Sequence, residues 1–72
     1  MEKENFLAEL AEILEEDVVN ESDVLSEFEA WDSLSILGII AYASENLSIT
    51  LNNKEIRDCG TVSDLIKLIE SK

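Results

Sequence analysis

Apolar residues recur with a helical period in three stretches of the chain and alternate in a fourth. In residues 4–16, Phe6, Leu10, Ile13 and Leu14 share one side, while Glu9, Glu12, Glu15 and Glu16 take the others. That spacing predicts a first amphipathic helix with the four glutamates as its solvated face. Residues 18–31 show no clean period, and Asn20, Ser22 and Asp23 are turn formers. They predict a long connection, of the kind that tends to carry function. Its apolar members Val18, Leu25 and Phe28 are expected to tie it to the core. Trp31 is expected to fix the angle at which the chain enters the next helix.

A second helix is predicted over residues 32–46. Asp32 is its N-cap, because the carboxylate can accept the unpaired N–H groups of the first turn. Two apolar rows run along it. Ile36, Ile39, Ile40, Ala43 and Leu47 follow the spacing of a core face. Leu34, Leu37 and Ala41 form a second row rising from beside Ser33. A helix with two such rows is buried nearly all round or keeps one for a partner, so the second row is the candidate partner-binding face. Gly38 costs about 1 kcal/mol relative to Ala inside a helix, which predicts that something approaches it closely.

"SITL", residues 48–51, predicts a short extended connector with Ile49 and Leu51 pointing inward. Asn52 or Asn53 then caps a brief helix over residues 54–59, ended by Gly60 in the left-handed conformation. Thr61-Val62-Ser63-Asp64 reads as a capping box that opens the last helix, where Val62, Leu65, Ile66 and Ile69 repeat at core spacing. Three substantial helices and one short one predict an all-α four-helix bundle, a single domain over residues 1–72, with a long loop between helices 1 and 2.

Size and composition narrow what such a bundle can do. A chain of 72 residues buries only about 60% of its unfolded surface, so its stability margin is thin. Hydrophobic residues make up 46%, too many for a disordered acidic tail. The longest uncharged run, residues 33–44, is too short to span a membrane, and the first residues lack the basic start and apolar run of a secretory signal. A monomer in the cytoplasm is the expectation.

With one cysteine and no histidine, the chain has neither an internal disulfide nor the usual ligand set for zinc. A Ca²⁺ site built on carboxylates would need a Gly-containing ligand loop, and none is found. The lack of histidine also removes the usual general base and every Ser-His or Cys-His pair, so a hydrolase using Ser33 fails for want of a base. The chain is not expected to be an enzyme. Cys59 reads as a small core residue.

The net charge of −12 argues against nucleic acid and anionic membranes, which call for basic patches. Residues 1–32 hold 12 of the 17 acids and one base, Lys3; residues 33–72 hold 5 acids and 4 bases. Such a field serves solubility, and it also attracts basic partner enzymes. Glu21, Asp23, Glu27 and Glu29, beside Asp32, mark the expected place for loosely held divalent cations.

Ser33 lies directly after the predicted cap, where free N–H groups and the helix dipole favour a phosphate. The stretch "WDSLSILGII", preceded by an acidic amphipathic helix and a long loop, resembles the phosphopantetheine attachment region of acyl carrier proteins. "LNNKEIRDCGTVSDLIKLIES" is similar to that family's C-terminal half. The resemblance implies a 4′-phosphopantetheine arm, taken from coenzyme A, on the Ser33 hydroxyl. It also implies a separate Mg²⁺-dependent phosphopantetheinyl transferase, and partners that load and unload acyl or aminoacyl thioesters: ligases, acyltransferases or synthases with basic docking surfaces. Asp32, Leu34, Leu37 and Ala41 would complete the motif and the docking face. In carriers of fatty acid synthesis, acids stud the second helix; here those places hold Ser35 and Gly38. The Trp before Asp32 and the Leu/Ile-rich helix are closer to stand-alone carriers of specialised pathways, including the D-alanyl type. The alternative is an unmodified acidic adaptor that binds a partner through Leu34, Leu37 and Ala41.

Overall fold

A computed structural model describes residues 2–72. Among these residues four helices follow one another: α1 (Lys3–Ile13), α2 (Ser33–Asn46), α3 (Asn53–Arg57) and α4 (Val62–Glu70). One 3₁₀ turn (Leu25–Glu27) lies in the loop between α1 and α2. Among the described residues there is no β-strand, so the fold is all-α as expected.

Several helix ends have a local cause. α1 stops earlier than residue 16 because Glu15 enters the left-handed region (φ 58°). The N–H of Glu15 then donates to the Glu12 carbonyl at 3.2 Å, and that of Glu16 to the Ala11 carbonyl at 2.8 Å. This paired closure normally uses Gly at the left-handed position. α3 and α4 both begin with reciprocal capping boxes. Asn52 pairs with Glu55, and Thr61 with Asp64. Gly60 departs from expectation, since no glycine has positive φ. Its carbonyl accepts the Leu25 N–H at 3.0 Å, so extended chain rather than a left-handed cap precedes α4. The second left-handed residue is Ser48 (φ 56°), just after α2.

The core draws Phe6, Leu10, Ala11 and Leu14 from α1 and its end, Ile36, Ile39 and Ala43 from α2, Ile56 from α3, and Val62, Leu65, Ile66 and Ile69 from α4. Leu51 closes it from the connector, with Ile49 packed at its edge. Phe6 and Tyr42 meet as tilted rings 6.2 Å apart, joining α1 to α2. Gly38 faces the other end of α1: a Cβ built on it would stand 3.3 Å from Cγ2 of Ile13. The close approach expected at Gly38 is thus made by α1. Two placements need correction. Ile40 and Leu47 are half-buried at the margin of the core, because the face centred on Ile36, Ile39 and Ala43 already fills the interior. Val18 is 66% exposed, and its neighbour Val19 is buried instead. Successive side chains of extended backbone point to opposite sides, so only one of the two can turn inward.

Candidate functional site

The chain reaches α2 along a loop that is fastened to α4. The first turn of any helix leaves backbone donors without partners. In α4, the Val62 N–H donates to the Asp23 carbonyl at 3.0 Å and the Ser63 N–H to the Glu21 carbonyl at 2.9 Å. The next donor, Asp64 N–H, is taken by Thr61 Oγ1. A single antiparallel bridge between Val24 and Thr61 completes the staple. Asp23 also accepts the Asn20 N–H on its carboxylate at 2.8 Å. Beyond this, Leu25 is buried, and Phe28 and Trp31 pack partly buried against the core. Asp32 therefore starts α2 from a held position.

Asp32 is the N-cap, and the cap is reciprocal. Its Oδ1 accepts the Ser35 N–H at 3.0 Å. The Ser35 hydroxyl accepts the Asp32 N–H at 3.0 Å and donates to the Asp32 carbonyl at 2.9 Å. Ser35 is buried, and its hydroxyl has no freedom left. Ser33, the first helical residue, is exposed. Among the described residues, no acceptor takes the N–H of Ser33 or of Leu34. α4 spends the equivalent two donors on the loop; α2 leaves them open beside the Ser33 hydroxyl.

Leu34 and Leu37 stand 76% and 56% exposed, and Ala41 is exposed with them. At 100° per residue, Ser33, Leu34, Leu37 and Ala41 fall within a sector of roughly 100°. The sequence-predicted site residues thus share one face of α2, with Asp32 at its base. A groove of about 330 Å³ beside Ser33, between the end of α1 and the start of α2, is lined by Glu12, Glu15 and Asp32 together with Ile13, Leu34 and Ser35. Three carboxylates and no base give it a negative field. Lys3, Lys54 and Lys72 are paired with Glu21, Asp58 and Glu55, none of which lines the groove.

The acids of the loop do not converge. Glu21 pairs with Lys3 at 3.5 Å, and Asp23 serves the Asn20 turn. Among the described residues, no three acids or thiols are placed to hold a metal ion. Cys59 is half-buried on the core. Burial, and then the charges of Asp64, Asp58 and Glu55, push its thiol pKa up, which keeps it protonated and inert. Sequence reasoning missed Ser35, although a polar residue three after the cap is the pattern of a capping box. It also missed the staple, which is made by main-chain groups and has no side-chain signature.

No helix among the described residues is long and apolar enough to cross a membrane. Comparison with curated proteins finds the acyl carrier protein of Kocuria rhizophila, 28% identical over 75 residues that cover 96% of this chain and 93% of that protein. No protein-family model matches the chain, and no solved structure does. The likeness to acyl carrier proteins around Ser33 and in the C-terminal half thus has a counterpart in a relative of that name, aligned along nearly the whole chain.

Proposed function

We propose that this protein is a carrier rather than a catalyst. In this reading Ser33 receives 4′-phosphopantetheine from coenzyme A through a separate Mg²⁺-dependent phosphopantetheinyl transferase. Ligases, acyltransferases or synthases then load and unload acyl or aminoacyl groups, with the protein in the cytoplasm beside its transferase. When bound, the group supplies a flexible arm whose terminal thiol carries cargo as a thioester.

The observation that carries the reading is the contrast between two serines two residues apart, on opposite sides of α2. Ser33 offers a free, exposed hydroxyl beside the open N–H groups of Ser33 and Leu34. Ser35 is buried, with its hydroxyl locked in the cap. These residues fit a phosphodiester. Open N–H groups at a helix start favour an anion by about 0.3–1 kcal/mol. A carboxylate at a few ångströms in water opposes it by a comparable ~1 kcal/mol. With three such carboxylates, Glu12, Glu15 and Asp32, lining the adjoining groove, the balance leans against the anion. Basic side chains of a partner would tip it and favour docking over Leu34 and Leu37.

Incubating the protein with coenzyme A, Mg²⁺ and a promiscuous phosphopantetheinyl transferase should raise its intact mass by one phosphopantetheinyl group. A mass left unchanged would instead favour the adaptor reading, which the exposure of Leu34 and Leu37 also suits.

A further inference from the structure

A second apolar surface lies away from α2. Leu7, Ala8 and Ala11 of α1, with Val18 and Val19 of the loop, line a groove of about 370 Å³ edged by Glu4 and Asp17. A second groove, of about 350 Å³, continues from it. Val18 and Asn20 line both, and in the second, mostly polar groove Val24 and Phe28 add a smaller apolar share among Glu16, Asp23 and Glu27. Val18 is thus a ridge along a continuous strip, and it and Val24 are exposed. Carboxylates edge the strip along its length, and no lysine or arginine lines either groove. Ile13, which meets Gly38 of α2, follows Ala11 by two residues, roughly 200° around the helix. The strip and the α2 face therefore lie on different sides of α1.

We propose that this strip docks a basic amphipathic segment of a partner protein, seating an apolar side chain beside Val18 and lysines or arginines against the rim. Charge complementarity selects that occupant. A second copy of the chain brings its own −12 charge, and an anionic lipid surface meets the same acidic rim. The surface is independent of the carrier reading, since none of its residues belongs to the Ser33 site. A partner could hold the protein here while the α2 face stays free for exchange.

The test is a titration of methyl-labelled protein with a synthetic amphipathic helix of leucine and lysine, followed by NMR. The methyls of Leu7, Ala11 and Val18 should shift first. Val18→Ser should weaken binding at least about fivefold, with an unchanged melting temperature because Val18 is exposed; Leu37→Ser, on the other face, should weaken it clearly less. Shifts confined to Leu34, Leu37 and Ala41, or equal losses in the two variants, would overturn the proposal. So would shifts at Val18 that depend on protein concentration without peptide, which would make the strip a self-association surface.

Discussion

The carboxylate of Asp32 and the hydroxyl of Ser35 hold each other's backbone N–H, both at 3.0 Å. This closed pair fixes the first turn of α2 and leaves Ser33, between them in sequence, turned to solvent. Removing the cap in Asp32→Ala should cost about 0.5–2 kcal/mol in urea denaturation. Ser35→Ala should cost about 1 kcal/mol, because its buried hydroxyl both accepts and donates. A Ser35→Ala variant as stable as the parent would mean that the second half of the box contributes nothing.

The two rows of α2 should separate stability from exchange. Ile39 is fully buried and Ile40 only half-buried, so Ile39→Ala should cost roughly 2–5 kcal/mol and Ile40→Ala clearly less. Leu37→Asp, on the exposed row, should change stability by about 0.5 kcal/mol or less yet slow loading by a partner enzyme. A larger thermal loss for Leu37→Asp than for Ile39→Ala would reverse the two faces.

Much of this was legible in the residues. α2 begins where Asp32 and the uncharged run place it, and the box of Thr61 and Asp64 opens α4 as read. Those features rest on side chains whose chemistry is local. The choice of Val19 over Val18 was not legible, because either valine suits an extended segment and tertiary packing decides. Nor was the closure of α1 at Glu15, where a residue poorly suited to the left-handed region is held by backbone bonds. The staple of Glu21 and Asp23 to the start of α4 uses only carbonyls and N–H groups, which every residue has. At the candidate site, the Asp32 cap and the exposed row of Leu34, Leu37 and Ala41 were legible, because a cap and an apolar row follow one another in sequence order.

The left-handed Glu15 gives a direct test of local strain. A non-glycine residue in that conformation costs on the order of 1 kcal/mol, partly offset by glycine's greater freedom in the unfolded chain. Glu15→Gly should raise stability by about 0.5–1 kcal/mol. Glu15→Gln removes the same charge but keeps the strain, so it should gain less. Equal gains would attribute the effect to charge alone.

Acid should weaken the start of α4. The N–H groups of Thr61 and Gly60 hold the Asp64 carboxyl below its ordinary range. A depressed carboxyl contributes stability that is fully present above its unfolded value, near pH 4, and is lost as pH falls through the folded value. Asp64→Asn lacks this titration. Its melting temperature should therefore converge on the parent's as pH falls below about 4, whereas relief of the general acid repulsion acts on both proteins alike. A difference that stays constant over that range would show that Asp64 titrates normally.

The central claim is that Ser33 alone accepts the phosphopantetheine arm. Peptide mapping after modification, run in parallel on the parent, Ser33→Ala and Ser35→Ala proteins, tests it most directly. The arm should map to Ser33 in the parent and in Ser35→Ala, and be absent from Ser33→Ala. An arm found on Ser33→Ala, or mapped to Ser35 or Ser26 in the parent, would contradict the assignment.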